Sequence, residues 1–238
     1  MAPNRLNILP HFAASEFGRL DAGIRDALDQ AATYRLLGPN EFIYLQEDDA
    51  EALYFVRSGH IRLSYLLEDG SPILFGILPQ GESFGELGVF EAGRQCDMAT
   101  SIGTSSIYSI GLETFRGLAA RHPALGLALG RAVARRYRSY ISLTRILGLK
   151  TLSGRLSQCL LRVADGLGDR IVLDGREVMK VGAFVTQTDL GLMARGARGN
   201  VNRALKSWER KGWIGIHDRC ILILDRPRLE AIAIEDEF

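Results

Sequence analysis

Cysteine is scarce in this chain. The three present, Cys96, Cys159 and Cys220, stand far apart and in no C-x-x-C spacing, so neither a disulfide framework nor a zinc or iron–sulfur site is suggested. The four histidines, His11, His60, His122 and His217, are scattered without ligand spacing, and no metal or haem is expected. Long apolar runs are missing too. The longest, around Ala124 to Ala134, is too short and interrupted for a membrane span, and the start lacks the basic stretch and apolar core of a signal peptide. A soluble protein of the reducing cytoplasm, with no membrane partner, is the expectation. No catalytic set is evident either. The glycine-rich stretch from Gly81 to Gly88 carries Glu82 and Glu86 but no nucleophile and base pair and no Walker spacing, so no enzyme is expected.

What is present is enough for a real core: 238 residues, 47% of them hydrophobic, the size of one large or two small domains. The charge is unevenly spread. Asn40 to Glu91 holds ten acidic residues against two arginines, whereas Arg121 to Lys150 holds seven basic residues and no acidic one. The near-zero net charge hides an asymmetry that fits either an acidic partner such as nucleic acid or solvated helix faces.

Hydrophobic periodicity divides the chain. From Leu53 to Leu67 the pattern alternates, Ile61, Leu63 and Tyr65 being separated by His60, Arg62 and Ser64, and Glu68-Asp69-Gly70-Ser71 ends the run with turn chemistry, which reads as a β-hairpin. Short apolar runs follow at Ile73 to Leu78, Met98 to Ile102 and Ser106 to Ile110, broken by Gly81, Gly85, Gly88, Gly93 and Gly103, a spacing suited to a compact antiparallel barrel or roll. The first 110 or so residues are expected to be mainly β, apart from a helical start near Ala13 to Ala31. After Pro123 the period is helical to about Leu149. Val133, Tyr137, Tyr140, Thr144 and Leu147 fall at spacings of 4, 3, 4 and 3, one stripe that fits either a dimerisation seam or a helix packed inside one subunit.

The last third is the most informative. Thr186-Gln187-Thr188-Asp189 resembles a capping box, Leu190 and Met193 follow, and Arg195-Gly196 makes a break. A second helix then runs from about Arg198 to Lys211, its Val201, Leu205 and Trp208 at i, i+4 and i+7. Two short helices across a tight turn are the helix-turn-helix pattern, whose second helix enters the major groove. Its outward face carries Arg198, Asn200, Asn202, Arg203 and Lys206, with Thr186 and Gln187 at the start of the first helix. Six basic residues against two acidic ones between Thr186 and Gly212 suit a phosphate backbone. Trp213 to Leu224, interrupted near Asp218-Arg219, reads as a two-stranded wing with Cys220 facing its core.

Taken together, Leu53-Tyr54-Phe55-Val56-Arg57-Ser58-Gly59, Asp69-Gly70, Gly81-Glu82-Ser83-Phe84-Gly85-Glu86-Leu87, Arg121-His122-Pro123, Gly154-Arg155-Leu156 and Thr186 to Leu205 make the chain resemble the Crp/Fnr superfamily of bacterial transcription regulators over nearly its whole length. The resemblance implies an α+β fold: a cyclic-nucleotide-binding-type β-roll over residues 1–120, a central dimerisation helix over 121–149, and a winged helix-turn-helix over 150–238. It implies a homodimer on a palindromic double-stranded operator, with RNA polymerase as a further partner. The rival is a non-DNA-binding sensory or adaptor protein of the cyclic-nucleotide type. The N-terminal cysteine cluster of some relatives is not matched, since no cysteine precedes Cys96. Cys96 itself reads as an uninvolved loop thiol or, with a lowered pKa, as a redox sensor.

The chain departs from the family pattern at both sites. Ala197 and Gly199 stand where relatives commonly have a serine before the recognition helix and a glutamate after its first arginine. Gly cannot accept a hydrogen bond from cytosine N4 as Glu can, so a different half-site is expected. In the roll, Gly85, Glu86 and Leu87 match positions that hold a cyclic phosphate and ribose. The Arg-Ser pair of members that bind cyclic AMP falls on Asp97 and Met98, or on Cys96 and Asp97 when counted without a gap. Either way the phosphate-neutralising arginine is missing and a carboxylate sits nearby. Arg94 is the candidate to reach in from a rearranged loop. Tyr140 and Ile141 replace the Thr-Ser pair that contacts the base. A possible cyclic nucleotide effector held in a non-standard way, or a roll serving as a ligand-free scaffold, both fit.

Overall fold

The structure is a computed structural model describing residues 16–91 and 93–234, with side chains to residue 232. His11 and the Ala13 to Ser15 part of the expected helical start lie outside the described residues. The chain forms two compact units, one built from residues up to 139 apart from 72–74, the other from 72–74 and 140 onward.

The first unit opens with a short 3-10 turn, Glu16–Arg19, and helix α1 (Ala22–Ala31). Strands β1 (Thr33–Leu37), β2 (Phe42–Tyr44), β3 (Ala52–Leu66), β4 (Pro72–Leu78) and β5 (Ser83–Phe84) follow, then the single-turn helix α2 (Leu87–Phe90) and strand β6 (Met98–Gly111). They form one antiparallel sheet in the order β1-β6-β3-β4, with β2 on β6 and β5 on β3. The hairpin expected from the Asp69-Gly70 turn is β3–β4. The two apolar runs from Met98 to Ile110 are not separate strands, however, but one. Ser58 pairs with Ser106 and His60 with Ile102, so residues 103–105 stand opposite Gly59 alone. That bulge bends the ladder without ending it. Gly59, at φ +78°, has no room for a side chain, because a Cβ there would lie 2.3 Å from Ser105 Oγ.

Helices α3 (Leu112–Arg121) and α4 (Pro123–Leu147) come next. Sequence periodicity placed the helical region only after Pro123. The structure adds α3, whose Leu112, Phe115 and Leu118 are buried, and ends it at His122 because a residue before proline is kept out of the helical region. Leu125, Ala128, Leu129 and Ala132 of α4 join Phe17, Leu28, Phe55, Tyr108 and Phe115 in one core. A second core, of Leu37, Tyr44, Val56, Ile61, Leu63, Phe84, Ala99 and Ile107, fills the roll.

The second unit contains helix α5 (Leu152–Leu167), hairpin β7 (Asp169–Leu173) and β8 (Arg176–Val181), helices α6 (Gln187–Ala194) and α7 (Arg198–Arg210), hairpin β9 (Ile214–His217) and β10 (Cys220–Ile223), and helix α8 (Arg226–Ile234). The four strands form an antiparallel sheet in the order β7-β8-β10-β9. Thr151 caps α5 by accepting from Gly154 N at 3.0 Å. The α5 core face includes Leu156, Cys159, Leu160 and Val163, and burial pushes the Cys159 thiol up to about 12, the state of a packing residue rather than a nucleophile. No helix among the described residues is long and apolar enough to cross a membrane.

Candidate functional sites: an outward basic helix and an inward polar cluster

Helix α7 is presented by the packing of its other face. Val201, Leu205 and Trp208 are each no more than 3% exposed, which turns Arg198, Asn200, Arg203 and Lys206 to the surface, with Asn202 half-buried. The turn ahead of it is fixed by close approach: a Cβ on Gly191 would lie 2.6 Å from the Gly196 carbonyl oxygen, and Gly196 N donates to Gly191 O at 2.9 Å. Arg195 ends α6 in the left-handed conformation, φ 51°, and Arg155 Nε donates to the Ala194 carbonyl at 2.8 Å. At the start of α6 the expected capping box is present. Thr186 Oγ1 accepts from Asp189 N at 3.1 Å, and Asp189 Oδ2 accepts from Thr186 N at 2.8 Å.

Ala197 precedes α7 without a side-chain cap, as its lack of a hydroxyl requires. Arg203 donates to Asn200 Oδ1 on the same exposed face, a pairing that pre-orients the guanidinium. The β9–β10 turn puts Asp218 and Arg219 at positive φ, 48° and 63°, with His217, Asp218 and Arg219 exposed at its tip. Cys220 is half-buried. Arg195 and Arg219 are exposed too, basic residues of the same unit that were not singled out from the sequence.

The roll holds its polar groups differently. Gly85 has φ +73°, and a Cβ there would lie 2.9 Å from the Tyr54 ring and 3.0 Å from the Ala52 carbonyl oxygen, so only glycine fits. Glu86 is 8% exposed. Ser83 Oγ donates to Glu86 Oε1 at 3.1 Å, while Arg136 of α4 donates to the Ser83 carbonyl at 2.6 Å and to Glu86 Oε1 at 3.3 Å. Arg135 beside it spans Glu16 at 3.3 Å and Glu82 at 3.1 Å. Asp97, also 8% exposed, accepts a hydrogen bond from Tyr44 Oη at 2.9 Å. Burial raises its pKa, the Tyr44 hydrogen bond opposes that, Glu86 raises it further and Arg136 lowers it. The carboxyl ends pushed up to about 6. Beneath lie stacked rings, Tyr54 on Phe84 at 5.1 Å, with Tyr44 5.6 Å from Tyr54.

Of the effector residues expected from the sequence, Glu86 and Asp97 interact, and both act electrostatically on Tyr44. Leu87 is 45% exposed, and Met98 is half-buried at the start of β6. Arg94 turns outward, its guanidinium 3.9 Å from Glu47 with both side chains about two-thirds exposed. The guanidinium on Glu86 comes instead from Arg136, which sequence reading had placed only within the basic run of α4. Tyr44 and Gln95 were missed too, since nothing in their local pattern marks them. Tyr140 and Ile141 belong to the second unit, half-buried and 39% exposed respectively. Cys96 is on the outer side of its loop; partial desolvation, then the Asp97 carboxylate, push its thiol up, away from redox sensitivity.

On α4 the seam residues differ in exposure. Tyr137 is 63% exposed and Thr144 is exposed, whereas Val133, Tyr140 and Leu147 are half-buried. The most exposed apolar stripe is Leu127, Ala134, Tyr137 and Ile141, one residue round the helix from the sequence stripe at its C-terminal end.

Comparison with known proteins gives the same two-part description. Residues 34–122 match the cyclic nucleotide-binding domain and residues 154–232 the Crp-like helix-turn-helix domain, together well over half the chain. The CRP-like cAMP-activated global transcriptional regulator of Mycobacterium tuberculosis is 28% identical over 204 residues, covering 84% of this chain and 89% of that protein. The cAMP-activated global transcriptional regulator CRP of Salmonella typhimurium is 27% identical over 179 residues, covering 75% of this chain and 83% of that one. Among solved structures, FixK2 from Bradyrhizobium japonicum superposes with a TM-score of 0.70 at 24% identity, covering 84% of this chain and 96% of that one, a likeness of fold. With its cyclic-nucleotide-binding-type roll and Crp-like helix-turn-helix, the chain belongs to the Crp/Fnr superfamily of transcription regulators.

Proposed function

We propose that the protein works in the cytoplasm as a homodimer on a palindromic operator, with Arg198, Asn202 and Arg203 reading base edges and Thr186, Gln187, Asn200 and Lys206 contacting the backbone. The observation that carries this is the exposed polar face of α7, held outward by buried Val201, Leu205 and Trp208. Arginine pairs bidentately with guanine in the major groove, at about 1–3 kcal/mol of discrimination per contact. Leu127, Tyr137, Ile141 and Thr144, together with Val133, Tyr140 and Leu147, form the dimer seam of α4. Two such helices place two recognition helices on inverted half-sites about one helical turn apart, and RNA polymerase is the partner at the promoter. The roll takes a cyclic-nucleotide-class effector through Gly85, Glu86 and Arg136 instead of the arginine that members binding cyclic AMP carry at the position of Asp97 or Cys96. DNA binding does not depend strictly on cyclic AMP.

The test is selection of a bound duplex from a random pool by the native protein, with its mass measured by sedimentation. A dimer selecting an inverted repeat is the expected result. Arg203→Ala should weaken that duplex by about 10-fold or more, and joint charge reversal at Arg198 and Arg203 should abolish binding. A monomer at micromolar concentration overturns the dimer, and an unchanged Arg203→Ala affinity overturns the assignment of α7. An adaptor protein would select no sequence at all.

A further inference from the structure

Asp97 is surrounded as though one positive charge were wanting. Two carboxylates, Glu86 and Asp97, are each 8% exposed. The groups facing Asp97 are Tyr44 from β2, Glu86 from the turn before α2 and Arg136 from α4, with Cys96 beside it in the chain. Only Arg136 among them is cationic, and it is committed to Glu86 Oε1 and the Ser83 carbonyl. Asp97 is held by the Tyr44 hydroxyl, and its attraction to Arg136 acts at longer range. Burying an ionised carboxylate without a cation is costly, and the usual outcome is that the group takes a proton.

A second, independent observation that points to a ligand lies two residues away in the chain. Gln95 is 5% exposed, and its Nε2 is buried with no hydrogen-bond acceptor among the described residues. Arg94 and Cys96 are exposed while Gln95 and Asp97 are buried, so these two side chains share the inward side of the segment. A buried amide donor left without an acceptor costs about 1–3 kcal/mol. An anion supplied by a ligand would satisfy it. The Gln95 Nε2 donor suits a phosphate oxygen, and the Arg136 guanidinium, held on Glu86 and the Ser83 carbonyl, adds positive charge to this part of the roll. Two carboxylates oppose it: Glu86, which Arg136 contacts, and Asp97, which has no cation in hydrogen-bond contact among the described residues.

We propose that Asp97 is a proton gate on the roll: when its carboxyl is neutral the site around Gly85, Gln95 and Arg136 accepts the phosphate of a cyclic-nucleotide-class ligand, and when it is ionised the site rejects it. This rests on reading the roll as a sensor of that ligand class. It makes effector binding proton-coupled, so the regulator would answer to a drop in pH as well as to the ligand. Asp97 changes charge near pH 6, whereas a cyclic phosphodiester keeps its single charge throughout that range.

The experiment is calorimetric titration of the full-length protein with cyclic AMP at pH 5.5 and 7.5, in buffers of different ionisation enthalpy. For the native protein, affinity should rise about 20-fold on acidification, with about one proton taken up per ligand at pH 7.5. Asp97→Asn keeps an acceptor for Tyr44 and should bind at both pH values with the affinity of the native protein at pH 5.5. The proton count is measured on the native chain, so it stands whether or not the variant folds. Proton-independent binding by the native protein, a variant that retains the native pH dependence, or no binding by either protein at either pH would each overturn the gate. Operator selection by the native protein is unaffected by these outcomes, so a failed gate and a failed regulator reading are told apart.

Discussion

In the helix-turn-helix unit the charged groups point out and the core is apolar; in the roll, a set of charged groups points in. Arg198, Arg203 and Lys206 stand in solvent over Val201, Leu205 and Trp208, whereas Glu86 and Asp97 are almost wholly covered and share one nearby guanidinium. An exposed charge costs the fold little, and exposed pairs such as Arg226 with Asp165 and Glu230 contribute little in return. A covered charge is a standing cost unless a partner or a proton offsets it. The outward set is therefore free to be specified by its partner, while the inward set is tuned by its neighbours. Both tryptophans, Trp208 and Trp213, lie in the second unit, so their fluorescence follows that unit alone and lets the two be broken separately.

The largest effect is expected where the outward face depends on backbone contact. Gly191→Val would drive a Cβ to within 2.6 Å of the Gly196 carbonyl oxygen, backbone that yields only by opening the turn. A loss of about 3 kcal/mol or more is expected, seen as an early tryptophan transition in urea and lost operator binding. The roll's unfolding should not move. If tryptophan and far-ultraviolet dichroism shift together, the two units are one cooperative body and the comparison fails.

The inward set should respond in the opposite sense. Asp97 has an ordinary pKa of 3.8, raised to about 6 in the fold. Below pH 3.8 both folded and unfolded chains hold the proton and the roll has its full stability. Between pH 3.8 and about 6 the unfolded chain releases the proton first, and stability is lost as pH rises. Asp97→Asn removes that loss. It should stabilise the roll by about 2–3 kcal/mol at pH 7.5 and by almost nothing near pH 4, measured by urea titration followed by dichroism. A gain that is the same at both pH values would show that the fold does not raise the Asp97 pKa above its unfolded value.

The same contrast explains how much was legible beforehand. Outward residues of a helix declare themselves through the period of the inward ones: Val201, Leu205 and Trp208 fixed which way Arg198 and Arg203 turn, and the Thr186 to Asp189 spacing carried its own cap. The β3–β4 hairpin was legible from Asp69-Gly70 and the alternation before it. The roll's cluster was not, because Tyr44, Asp97 and Arg136 come from segments 39 to 92 residues apart and meet only through the fold. Arg136 was hidden among other arginines of α4, where period alone cannot say which one turns inward. Arg94, nearer in sequence to Asp97, was the plausible cation by distance along the chain, and the structure turns it to solvent. Helix α3 and the β7–β8 hairpin escaped for a different reason, being short elements whose apolar residues are too few to set a period.

The smallest effect sharpens the comparison, because the helix-turn-helix unit also buries one carboxylate. Asp189 is 1% exposed, yet its surroundings are unlike those of Asp97. Its Oδ2 accepts from Thr186 N at 2.8 Å and from Thr186 Oγ1 at 2.7 Å, and it stands in the first turn of α6, where the helix dipole favours a negative charge. Here two donors to the charge come from Thr186, three residues away in the chain. Thr186→Ala removes one donor to Asp189 and the acceptor for Asp189 N but leaves the backbone donor in place, so the loss should be about 1 kcal/mol. Thr186→Ser should restore most of it. The measurement is the urea midpoint of tryptophan fluorescence at pH 7.5, with the roll's transition as internal reference. A loss well above this, of the size expected for an unpartnered buried carboxylate, would mean that Asp189 relies on Thr186 alone and that the two buried acids differ less than their hydrogen bonds imply.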